Sequence, residues 1–288
     1  MTTIMTDLPA RHGPPPTCSG DWPGQLNEHG AAPDGRVKPG HDDWNGTTAH
    51  DGGTGTTGDD AGTGTTDHVG RATDATAVMR LLTWLSPGFP TGAFAYSHGL
   101  EWSVETHDIR DGETLRDWLT DVIEHGSART DTILLRHAHR MANDPCALRE
   151  IVALALASAA GRERYDEALA QGRAFLRAAS GWGVPDLPEA TPYAVAVGAM
   201  AGAHGIDEDT TAGAYLQTFA SNLISAAVRL VPLGQTTGLQ TLAALEPVIL
   251  HTAASTKQAT LDDLGGCAFR SDLAAMRHET QYTRLFRS

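Results

Sequence analysis

Ser97, His98 and Glu101 are the densest group of side chains in this 288-residue chain whose types could do chemistry. A serine beside a histidine suggests a nucleophile and its base. A histidine three residues before a glutamate suggests a metal-binding or acid–base pair on one helical face. Neither pattern completes. Neighbouring residues on a helix point about 100° apart, and no Gly-x-Ser-x-Gly elbow surrounds Ser97, so its expected role is to cap the helix that carries Leu100 and Glu101. A metal site in a helical bundle needs several His/Glu pairs projecting inward, and no second pair accompanies His98 and Glu101. His137 and His139 lie two apart on a helix and point away from each other, which prevents them from sharing one ion. Gly-Thr-Gly-Thr-Thr occurs at 53–57 and 62–66. It has no following Gly-Lys-Ser/Thr for phosphate, and Thr57 and Thr66 stand where calcium-binding β-roll repeats need Asp. His41, Asp42, Asp43, His50, Asp51, Asp67 and His68 have no fixed spacing. These residues assign no catalytic group, metal site or cofactor, and favour a protein that works by binding.

The elements that hold Ser97 to Glu101 are better defined. Met79–Glu101 reads as an apolar helix, a loop and a second helix entered through small and aromatic residues. Pro87 and Pro90 fix φ, while Gly88, Gly92 and Gly99 supply conformations that other residues resist, so the loop is specified. Such a loop would pre-organise Phe94, Tyr96, Ser97 and Glu101 for a partner.

From Ala75 onward the apolar period is helical. Leu115, Trp118, Leu119, Val122 and Ile123 follow i, i+3, i+4, i+7, i+8 behind Asp111 as N-cap. A helix over Asp131–Ala142 carries Ile133, Leu134, Ala138 and Met141 and is closed by Pro145. Leu148, Ile151, Val152 and Ala155 mark another, and Tyr165, Ala168, Leu169, Gly172, Phe175 and Leu176 the next. Tyr193–Ala203 is apolar on every side and rich in Ala and Gly, as a closely packed central helix would be. Two long helices follow over about 209–230 and 234–259. Tyr215, Phe219, Leu223, Ala227 and Leu230 stripe the first; Leu239, Leu242, Leu245 and Ile249 stripe the second, which Pro247 should kink or split. No run alternates with period two. The expected fold is all-α, a compact bundle of about eight to ten helices with a disordered N-terminal extension.

Composition divides the chain at residues 1–75, 76–270 and 271–288. The first segment holds 14 of the 31 glycines and 11 Asp/Glu against 4 Lys/Arg, too little apolar surface to offset the entropy of ordering it. The net charge of −14 argues against nucleic acid, which demands clustered Lys and Arg. Cys18, Cys146 and Cys267 are odd in number and far apart, which suits a reducing compartment. With no export signal and no run of roughly 18 apolar residues, a cytoplasmic protein that does not enter membranes is expected.

The last 19 residues, Arg270–Ser288, change sign, with Arg270, Arg277, Arg284 and Arg287 against Asp272 and Glu279. Arg, Tyr and Phe dominate binding hot spots. Arg277, His278, Glu279, Tyr282, Arg284, Leu285 and Phe286 therefore read as a partner-docking tail, although packing onto its own domain remains open.

Two stretches resemble a known family. Leu85-Ser-Pro-x-Phe-Pro-x-Gly-Ala-Phe-x-Tyr-Ser-x-Gly-Leu-Glu101 and Met276-Arg-His-Glu-x-Gln-Tyr-x-Arg-Leu-Phe286 are similar to the N- and C-terminal signatures of the urease accessory protein UreF family. Arg229-Leu-Val-Pro-Leu-Gly-Gln-Thr-x-Gly-Leu-Gln240 resembles its central helix junction. The resemblance implies an all-helical homodimer that is not an enzyme and bridges the accessory protein UreD (also called UreH) to the GTPase UreG. Nickel is then delivered into apo-urease, and the C-terminal tail orders on UreD/UreH. It also raises a GTPase-activating role for an arginine. The rival expectation is a stand-alone nickel carrier using His98, His251, Cys267, His278 or the acidic tail.

Overall fold

The computed structural model describes residues 67–288, with side chains from Ala75 onward. The expectation of disorder for 1–75 falls outside these residues, apart from 67–75, where α1 begins. Ten α-helices follow one another among the described residues, and no strand occurs there. They are α1 (Asp67–Trp84), α2 (Leu100–Glu105), α3 (Gly112–His125), α4 (Ser127–Arg140), α5 (Pro145–Ala157), α6 (Arg162–Ala178), α7 (Tyr193–Ala203), α8 (Glu208–Leu230), α9 (Gly234–Ser255) and α10 (Phe269–His278). No helix is long and apolar enough to cross a membrane among these residues.

The local signals explain most boundaries. Asp111 accepts the Thr114 N–H at 2.9 Å and starts α3, whose Leu115, Trp118, Leu119, Val122 and Ile123 are all buried. Burying such side chains contributes roughly 1.5–3 kcal/mol each before entropy is charged against it. Asp144 caps α5, with Pro145 in its first turn where a missing N–H costs nothing. Asp207 caps α8 in the same manner.

The core has α7 at its middle, with Ala194 through Ala201 all buried. Glycine is what lets its neighbours approach. A Cβ on Gly198 would sit 2.1 Å from the Leu135 carbonyl oxygen of α4, and one on Gly202 would sit 2.2 Å from that of His139. On one side α3, α8 and α9 join around Trp118, Phe219, Leu223 and Leu245; on the other Trp84, Phe175, Met200 and Tyr215 meet.

Three expectations change. α4 begins at Ser127, four residues early, because Ala128 and Thr132 continue its buried face. Leu239 is exposed, and α9 instead buries Gly238, Thr241, Leu245 and Ile249. Ile224 and Val228 of α8 pack onto the bare Gly238, which turns the helix face by one residue. α9 is also not split at Pro247; the proline and Ala243, whose carbonyl loses its helical N–H partner, both lie on the exposed side.

Candidate functional site

The loop between α1 and α2 and the segment after α10 fold against each other. Gly92 and Gly99 take φ of +76° and +79°, as a glycine readily does. Gly99 is constrained twice, for a Cβ there would also lie 2.4 Å from the Ala275 backbone nitrogen of α10. α10 is thus seated directly on the start of α2.

Glu101 organises this contact. Its buried carboxylate accepts the Leu285 and Phe286 N–H groups at 2.8 and 2.9 Å, and His278 Nε2 lies 3.2 Å away. His278 is fully buried and turns Nδ1 to Glu163 of α6 at 2.7 Å, while Arg284 donates to the other oxygen of Glu163 at 2.7 Å. Glu279 accepts the Arg162 N–H at 2.9 Å and so caps α6, whose N-cap residue, Gly161, has no side chain for the task. Gln281 donates to Glu105. Further on, the Ser97 N–H and hydroxyl both donate to the Ser288 backbone oxygen, and the Arg287 N–H donates to Ala95 O at 2.8 Å. Arg229 of α8 donates to Phe94 O at 2.7 Å and stacks its guanidinium 4.5 Å from the centre of the buried Phe286 ring.

The roles of Ser97 and His98 differ in part from those the spacing suggested. Gly99 holds the N-cap position of α2, yet the Ser97 hydroxyl does reach that helix, accepting the Glu101 N–H at 3.4 Å, and it also donates to the Ser288 backbone oxygen at the end of the tail. His98 and Glu101 do not share a face: His98 precedes the helix at φ +56° and turns toward α6. Pro87 and Pro90 sit in the turns leading to Gly92, as the loop reading requires. Of the residues singled out for a partner, Tyr96, Ser97, Glu101, His278 and Phe286 are buried, whereas Phe94, Arg277, Glu279, Tyr282, Arg284 and Leu285 are exposed. Phe269, Leu273 and Met276, spaced i, i+4, i+7 on α10, are exposed as well.

Behind the tail lies a second polar group. His98 Nε2 is 2.8 Å from Glu167 Oε1 and 2.7 Å from Arg164, and Arg164 also donates to Glu167 at 2.7 Å. Gln171 and Ser288 donate to the same carboxylate, and Asp131 accepts the Tyr215 hydroxyl at 3.0 Å. Burial would raise Glu167, but Arg164 and His98 outweigh it and hold the acid at about 2. Burial and then Arg164 push His98 below its ordinary 6.5, so the ring is neutral, while burial raises Asp131. Glu163, Arg164, Glu167 and Asp131 were not anticipated. The one available signal was the Arg164, Glu167, Gln171 spacing, which aligns three polar groups on one side of α6.

His137 and His139 each bond a backbone carbonyl, of Ala259 and Ile206. His251 and Cys267 stand exposed, and no three His, Cys, Asp or Glu side chains gather to hold a metal ion among the described residues.

A family model described as UreF matches residues 109–246. The urease accessory protein UreF of Rhodopseudomonas palustris strain BisB18 is 49% identical over 227 residues, covering 75% of this chain and 94% of that protein. The chain belongs to the UreF family. Among other UreF proteins, that of Bradyrhizobium sp. strain BTAi1 is 51% identical over 224 residues (75% of this chain, 93% of the relative), and that of Mesorhizobium japonicum is 48% identical over 215 (74% and 96%). These UreF relatives are named as accessory proteins of urease rather than as enzymes.

Proposed function

We propose that this UreF-family chain is a non-enzymatic adaptor in urease maturation. It would join UreD/UreH to the GTPase UreG, as a homodimer, while nickel passes into apo-urease as cargo. The observation that carries this reading is the division of labour in the tail. Buried acids and His278 fix the backbone of residues 278–288, and that fixed backbone leaves Tyr282 and Leu285, with Phe269, Leu273 and Met276, facing outward. Exposed apolar side chains on a rigidly held frame are what a partner interface needs, because little further ordering is required on binding. Phe94 adds a second exposed aromatic next to the tail, its carbonyl tied to Arg229.

The test separates seat from surface. Leu285→Asp and Tyr282→Ala are expected to abolish co-purification with UreD/UreH while the helical circular dichroism and thermal midpoint stay unchanged. Phe286→Ala removes a buried anchor and should lower the midpoint as well. Undiminished co-purification of the Leu285→Asp protein would overturn the reading.

A further inference from the structure

A cavity of about 320 Å³ lies inside the bundle behind the tail and opens past the exposed residues Ala160, Gly265 and Gly266. The adaptor reading gives it no task. Its wall is largely apolar, with Leu134, Ala168, Val195, Phe219 and Leu223 on it, while Thr130, Gln171 and Tyr193 bring uncharged polar groups to the same space.

Thr130 is 8% and Gln171 6% exposed, and each keeps a polar atom unused. Gln171 donates its amide nitrogen to Glu167 at 2.7 Å, which leaves Oε1 as an acceptor with no donor among the described residues. The Thr130 hydroxyl has no hydrogen bond among them either. Neither atom is sealed in. The partnerless side-chain atoms that solvent cannot touch belong to Trp84, His98, Trp118, Thr252 and Gln281, so the free oxygens of Thr130 and Gln171 open onto the cavity that both residues line. Buried polar groups in folded proteins are nearly always bonded, and two exceptions facing one space mark a place where a ligand can bond.

The chemistry of the wall selects the class of ligand. Burial pushes the Tyr193 hydroxyl up from its ordinary 10.0, so it stays a protonated donor, and it too has no hydrogen bond among the described residues. Gln171 Oε1 calls for a donor, while the Thr130 and Tyr193 hydroxyls have protons to give. One neutral group that carries N–H and C=O together, the primary carboxamide, meets both needs. A carboxylate would face Asp131, Glu167 and Asp272 on the same wall. An ammonium has no acceptor to offer the hydroxyls, and Arg164 already pairs with Glu167 and Asp131.

We propose that the cavity binds a small neutral molecule with a primary carboxamide on a short aliphatic chain. Its N–H groups donate to Gln171 Oε1, its carbonyl accepts from the Thr130 and Tyr193 hydroxyls, and its chain lies against Leu134, Val195 and Phe219.

Calorimetry on the full chain tests this with pentanamide as the probe and with pentylamine, pentanoate and 1-pentanol as controls of matched length. Saturable 1:1 binding of the amide, tighter than about 1 mM, is expected, with each control at least about tenfold weaker. Thr130→Val and Tyr193→Phe remove hydroxyls that bond nothing among the described residues, so the thermal midpoint should hold in both. Each should weaken the amide about fivefold, the loss of one neutral hydrogen bond. An amide that fails to saturate by about 10 mM would overturn the proposal. So would equal binding of any control, or undiminished binding in both variants.

Discussion

His98 shows how a single residue ties the stability of this chain to pH. Burial, then Arg164, lowers its pKa from 6.5, so below that value the unfolded chain takes up a proton that the folded chain refuses. Stability is therefore present in full above 6.5 and is lost as pH falls beneath it. Glu167 acts in the same direction lower down: its acid is held at about 2, and its contribution fades as pH drops from 4.5 toward that value. Asp131, raised by burial, works the opposite way at pH values above its ordinary 3.8, so the variant rather than the wild-type slope isolates His98. The urea midpoint is expected to fall between pH 7 and 5 and to flatten over that interval in His98→Asn, asparagine being chosen because it tolerates the φ of +56°. A slope unchanged by the substitution would rule out His98 as its source. Glu101 is the companion case, a buried carboxylate meeting two backbone N–H groups and a histidine. Glu101→Gln should cost about 1.5–3 kcal/mol in urea unfolding, the range for hydrogen bonds to a charged group.

Among the elements, the seam between α4 and α7 is where close packing is least forgiving. Gly198→Ala would drive a methyl to within 2.1 Å of a backbone oxygen that cannot step aside, and thermal unfolding should report a loss of more than about 2 kcal/mol. Leu239→Gln on α9 should stay within about 0.5 kcal/mol, while Leu245→Ala should cost about 2–5. The contrast between those two leucines also marks what sequence could reveal. Helix period and caps located α3, α5, α7 and α8 because apolar spacing and Asp or Pro at the ends are local signals. The face of α9 depended on how closely α8 approaches Gly238, and the second bond of the Ser97 hydroxyl on a backbone oxygen 191 residues away. Arg136 is the plainest omission: almost wholly buried, it joins α4 to Glu208 and Asp209 of α8 and to the Ala253 carbonyl of α9. An arginine on a helix otherwise striped with apolar residues reads as surface until its acids are brought together by the fold. The tail seat was half legible, for its residues stood out by type, but which of them point inward was decided by Glu101 and Glu163, which lie more than a hundred residues away.

At the scale of the whole molecule, charge is distributed against its own sum. The chain carries −14, yet Arg270, Arg277 and Arg287 stand exposed around Phe269, Leu273, Met276, Tyr282 and Leu285. Arg284, by contrast, is committed to Glu163. On the adaptor reading, a basic fringe around an apolar centre on an acidic body would steer this end of the molecule toward an acidic face of UreD/UreH, since the rest of the surface would repel it. Such steering governs the association rate more than the lifetime of the complex. Arg270→Glu with Arg277→Glu should therefore slow association with UreD/UreH several-fold at low ionic strength while the dissociation rate changes little. The difference should shrink as salt is raised past about 0.1 M, where the screening length falls below about 10 Å. Surface plasmon resonance across a salt series reads both rates. A defect confined to dissociation, or one indifferent to salt, would place these arginines inside the contact rather than around it and would reject steering as their role.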